Sequence, residues 1–87
     1  MACLKFKHKN TEYKSKEWDF KAMCIVNEKH CDDNVKGPLM ACSDAVDYMF
    51  DGTDGADLLN EIAPGVRARL CTQIWEMYLK ELTGKNE

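Results

Sequence analysis

Two hydrophobic periods divide the chain. In "CLKFKHKNTEYKSKE" apolar and polar residues alternate, with Leu4 and Phe6 on one face and lysines on the other, which is strand periodicity. "HKNT" supplies a polar connection, Asn10 suits a positive φ, and "EYKSK" resumes an extended run around Tyr13. Residues 3–16 therefore predict a β-hairpin. Two strands alone are marginal in water, so the rest of the chain must cover one face.

From Trp18 the period changes. "WDFKAMCIVNEKH" sets Trp18, Ala22, Ile25 and Val26 at helical spacing, with Phe20, Met23 and Cys24 widening the apolar surface. This predicts a helix over 18–31, capped by Asp19 or Ser15, with Lys29 and His30 favourable at its end. "CDDNVKGP" reads as a loop, and "LMACSDAVDYMF" predicts a helix over 39–51, with Leu39, Cys42, Val46 and Met49 or Phe50 inside. A short helix over 55–62, capped by Asp54 with Asp57 in its first turn, would follow the glycine turn. Pro64 then opens a last helix over 65–83, which Gly84 stops. The expected fold is a single α+β domain, a hairpin packed on three or four helices.

The last helix decides what the fold leaves exposed. At about 100° per residue, Val66, Leu70, Ile74, Met77 and Tyr78 make one stripe, and Trp75, Leu79 and Leu82 carry it past half the circumference. So wide a face exceeds what one side of a hairpin covers. Either this helix is central, wrapped by the others, or part of it waits for a partner, in which case Trp75, Tyr78, Leu79 and Leu82 are the contact residues.

Composition fits this picture: 87 residues, 45% hydrophobic and 31% charged, describe one small folded domain with a thin core. No apolar run approaches the roughly 20 residues that cross a bilayer, and "MACLKFKHKN" lacks the apolar centre of a secretory signal. Cys3, Cys24, Cys31, Cys42 and Cys71 are odd in number and widely spaced, which argues against a disulfide framework. Cys24, Cys42 and Cys71 sit among apolar neighbours and are expected to be small core residues. The expectation is a cytoplasmic protein without a membrane anchor.

Charge adds an asymmetry that the net value of −3 conceals. Residues 1–16 carry Lys5, Lys7, Lys9, Lys14 and Lys16 against Glu12 alone, whereas residues 37–66 hold six acids and no Lys or Arg. Such polarity suits docking on a charged partner, or a homo-oligomer or weak head-to-tail self-association in which Lys5, Lys7 and Lys9 of one copy meet Asp47, Asp51, Asp54 and Asp57 of the next. The plainer alternative is a solvated surface.

Candidate chemistry is thin. "DGTDGADLLNE" has the look of a calcium loop, but placing Gly55 at position 6 of an EF-hand puts Phe50 and Gly52 at ligand positions, and starting at Asp51 puts Ile62 where the glutamate belongs. His8, His30 and the cysteines lack zinc-ligand spacing, and Cys31 beside His30 is a sequence neighbour rather than a geometric pair. "GTDG" leads into carboxylates, which repel phosphate. The lysine-rich hairpin with Phe6 and Tyr13 has the residue types of a stacking surface for nucleic acid, but the chain is acidic overall. No enzymatic activity, metal, cofactor or nucleic-acid partner is expected.

Three stretches, "HKNTEY", "DFKAMCIVNE" and "MFDGTDGADLLNEI", resemble patterns of the small tail assembly chaperones of long-tailed bacteriophages that infect Gram-positive hosts. The likeness spans most of residues 4–82. It departs from the family at the hairpin turn, which lacks the usual glycine, and in its number of cysteines. The resemblance implies a non-enzymatic protein of the host cytoplasm that coats and solubilises the apolar tape-measure protein and recruits tail-tube protein. It also implies a longer, frameshifted form, and it transfers no catalytic residue. A second expectation competes: a small acidic regulator, acting as a decoy for a nucleic-acid-binding protein through Asp44, Asp47, Asp51, Asp54 and Asp57.

Overall fold

The computed structural model describes residues 2–84. The hairpin forms as expected, from β1 (Cys3–His8) and β2 (Thr11–Glu17), antiparallel, with Phe6 opposite Tyr13 and His8 opposite Thr11. Lys9 and Asn10 both take positive φ, 51° and 68°, the two-residue turn whose twist matches that of the strands. The register then slips: Lys5 faces Lys14 but Cys3 faces Glu17, so β2 holds one extra residue, a bulge at Ser15 and Lys16. The Leu4 N–H, which the bulge deprives of a carbonyl, donates instead to Ser15 Oγ at 2.8 Å.

Helix α1 (Phe20–His30) begins two residues later than the periodicity predicts, because Asp19 is its cap. Asp19 is extended and its Oδ1 accepts the Ala22 N–H at 2.9 Å, which leaves Trp18 outside the helix. Its other oxygen accepts the Tyr48 hydroxyl at 2.7 Å. The Ala22 amide and then the Tyr48 hydroxyl hold this carboxyl below its ordinary pKa. Its contribution to stability is therefore complete above the ordinary carboxylate range and is lost as pH falls through the depressed value. Asp19→Ala should cost about 1 kcal/mol at neutral pH. Thermal melts of the variant should also show a shallower loss of stability on acidification than those of the parent.

Helix α2 (Gly37–Phe50) starts at Gly37 rather than residue 39, with Pro38 in its first turn, where a missing N–H costs nothing. The helix expected over 55–62 is not there. Ala56–Leu58 makes one 3-10 turn, capped by Gly55 without help from the Asp54 side chain. Gly52 takes φ 80°, and Leu59 and Ile62 are drawn into the core from the irregular stretch that follows. Helix α3 (Pro64–Thr83) ends on Gly84 in the left-handed conformation, as its composition implies.

The core joins one face of the sheet to all three helices: Leu4 and Phe6 from the hairpin, Ala22 and Val26 from α1, and Leu70, Cys71, Ile74 and Tyr78 from α3. The central element is α2 rather than α3. Six of its residues are buried, and Ala41, Cys42 and Ala45 are small enough for α1 and α3 to approach it from two sides. No helix among the described residues is long and apolar enough to cross a membrane.

Candidate functional site

The wide apolar face of α3 divides between the two destinations open to it. Tyr78, expected at a partner interface, is 1% exposed, and its hydroxyl donates to Asn27 Oδ1 at 2.8 Å. A phenol whose polar end finds an acceptor can be buried at little cost, so Tyr78 belongs to the core. Burial pushes its pKa up. Trp75 is half-buried, edge-on to His30 with ring centroids 5.0 Å apart. Leu79 and Leu82 remain 41% and 54% exposed.

Trp75 meets His30 and Tyr78 meets Asn27, so α3 runs antiparallel to α1. Along α1, Phe20, Met23, Cys24, Asn27 and Glu28 line an open groove of about 410 Å³. Phe20 is 78% exposed, the most of any large apolar side chain among the described residues. At about 100° per residue it lies about 160° around α1 from the buried Ala22. Sequence periodicity placed Phe20 and Cys24 merely at the margin of an inward face and missed this.

Leu39, expected inside, is half exposed, as is Met40 beside it. They stand on the first turn of α2, past the cover of α1, and Leu39 borders a smaller groove of about 240 Å³ with Pro64, Ala68 and Cys71. Arg67 closes that groove. Its Nη2 donates to Ser43 Oγ at 2.9 Å and to Asp47 Oδ1 at 3.0 Å, while Nη1 is buried without a partner.

The charged residues are redistributed by the fold. Asp47 is held by Arg67 and Asp44 by Lys29 at 3.3 Å, so neither acid is unpaired for a second copy. Asp51, Asp54 and Asp57 are exposed and have no ion pair among the described residues. The acidic turn does not lie at the opposite end of the molecule from the lysines. Gly55 packs under the hairpin, where an added Cβ would come within 3.1 Å of Tyr13 and 3.2 Å of Phe50, and Asp54 lines one groove with Glu12 and Lys14.

On the hairpin, Lys5, Lys7 and Lys9 are exposed, but Phe6 is buried beneath Tyr13, its ring stacked at 5.4 Å, so the expected aromatic pair faces inward and offers no stacking surface. Among the described residues no three His, Cys, Asp or Glu side chains converge. The cysteines divide differently from expectation: Cys42 and Cys71 are buried, whereas Cys24, like Cys31, is exposed. Burial, and secondarily the neighbouring Cys71, pushes the Cys42 thiol up to about 12. A thiol reagent at pH 8 should label Cys24 and Cys31 rapidly and reach Cys42 and Cys71 only on unfolding, as peptide mass spectrometry would read.

The chain matches no protein-family model, no curated protein and no solved structure.

Proposed function

We propose that this protein is a non-enzymatic binding protein that shields an apolar segment of a partner on the outer face of α1 and the end of α3. The observation that carries this reading is the exposure of Phe20 in a groove that Met23 and Cys24 also line, together with the exposure of Leu79 and Leu82 on α3. Burying such side chains stabilises an interface by roughly 1.5–3 kcal/mol each, and leaving them in water is a liability unless something covers them. The surface suits an amphipathic helix, whose apolar residues at helical spacing would meet Phe20, Met23 and Cys24 in turn.

The specific form we propose is that of a tail assembly chaperone in an infected host's cytoplasm, holding the tape-measure protein soluble while tail-tube protein assembles on it. The resemblance of "DFKAMCIVNE" supports this reading, since Phe20 and Cys24 of that stretch stand in the groove. Co-expression with the tape-measure protein followed by affinity capture tests it: the two proteins should co-purify, and a tape-measure protein that precipitates equally with and without this chain would contradict it. The acidic-decoy reading is favoured by one observation, the exposure of Asp51, Asp54 and Asp57 without ion pairs among the described residues. Recovery of a basic nucleic-acid-binding protein, lost on neutralising those aspartates, would replace the first reading by the second.

A further inference from the structure

The hairpin is the whole sheet among the described residues, so neither edge carries a further strand, and Thr53 and Asp54 border the groove beside Glu12 and Lys14. In a two-residue hairpin the pair that closes the turn is hydrogen-bonded, and bonded pairs then alternate along the ladder. His8 with Thr11 and Phe6 with Tyr13 are therefore the bonded pairs, which agrees with the inward Leu4 N–H found on Ser15 Oγ. It follows that Glu12 and Lys14 turn their N–H and C=O groups outward. No other backbone bond among the described residues takes them up.

The two edges differ in what they accept. On β1 the outward residues are Lys5 and Lys7, so a second copy pairing there would set lysine against lysine, and the groove alongside is bordered by Gln73, Glu76, Met77 and Lys80 of α3. On β2 the outward residues are one acid and one base, two positions apart. Antiparallel pairing of β2 with β2 of a second copy, centred on Tyr13, places each Glu12 directly opposite the other copy's Lys14. Shifting the centre to Glu12 or Lys14 sets like charge on like charge, which is destabilising. The bulge at Ser15 and Lys16 then ends the paired stretch.

We propose that the β2 edge, from Thr11 to Ser15, is a docking site for a second copy of this chain, joined across a two-fold axis into a four-stranded sheet in the order β1, β2, β2, β1. The occupant is set by charge complementarity: the strand is self-complementary in one register only. The contact is isologous and closes at two copies, unlike a head-to-tail array. It requires nothing of the apolar groove, so it stands or falls independently of the function proposed above.

Charge reversal tests the register. Glu12→Lys and Lys14→Glu each put like charges at both crossings and should weaken dimerisation of the full chain on the order of tenfold, measured by sedimentation equilibrium up to about 1 mM. Mixing the two variants restores opposite charges at both crossings and should recover a heterodimer, as should the double exchange Glu12→Lys with Lys14→Glu in one chain. Circular dichroism checks that each variant folds; Lys14→Glu relieves the Lys5–Lys14 opposition, so it is expected to fold. A parent chain that stays monomeric throughout, single variants that associate as the parent does, or a mixture that fails to associate would each overturn the proposal.

Discussion

Phe50→Ala should lower the stability of this domain by about 3–5 kcal/mol, read as a fall in the urea midpoint at unchanged slope. Phe50 is fully buried at the end of α2, where its ring meets Phe6 edge-on at 5.2 Å and closes over Gly55. It is the joint between hairpin, central helix and acidic turn. Its carbonyl also accepts both the N–H and the hydroxyl of Thr53, which starts that turn. Small domains hold only about 5–15 kcal/mol in all, so this one truncation should remove a large share of it. The cavity cannot close by collapse, because Gly55 already packs near contact distance against Tyr13 and Phe6.

The second large effect is on binding and not on folding. Phe20→Ser combined with Leu82→Ser should leave the urea midpoint nearly unchanged, within about 0.5 kcal/mol, since both side chains are more than half exposed. The same pair should weaken capture of the apolar partner by roughly a thousandfold, as two anchors of about 2 kcal/mol each. Tyr78→Phe is the control from the same helix. It removes the hydroxyl from Asn27 and should cost about 1 kcal/mol of stability while leaving partner affinity intact.

The contrast between Tyr78 and Leu82 illustrates what could be read from the sequence and what could not. Periodicity located α3 to within a residue at either end and showed that its apolar face was too wide for one neighbour. It could not divide that face, because the division depends on where Asn27 of another helix stands. Asn10 in a positive-φ turn and Asp19 as a cap were legible, since each depends on two or three adjacent residues. The bulge at Ser15 was not, because it is a property of two strands in register, and the outward edge of β2 was hidden with it.

The short helix over 55–62 failed for a related reason. Its residues have helical types, but Gly55 packs against Tyr13 and Phe6 of the hairpin, where an added Cβ would come within 3.1 Å and 3.3 Å, a tertiary contact no local pattern shows. Charge was legible as composition and misleading as geometry. Lys14 and Asp54, far apart along the chain, line one groove, and Asp44 and Asp47 pair with Lys29 and Arg67. Exposure of Phe20 was the least foreseeable feature of the site, since an aromatic residue in the first turn of an amphipathic helix ordinarily points inward.

The proposed function requires that the outer face of α1 and the end of α3 meet a partner. Nuclear magnetic resonance titration of this chain with an apolar helical segment of the tape-measure protein tests that most directly. Shifts should concentrate at Phe20, Met23, Cys24, Leu79 and Leu82 and leave the acidic turn unmoved; shifts confined to Asp51, Asp54 and Asp57, or none at saturating segment, would contradict it.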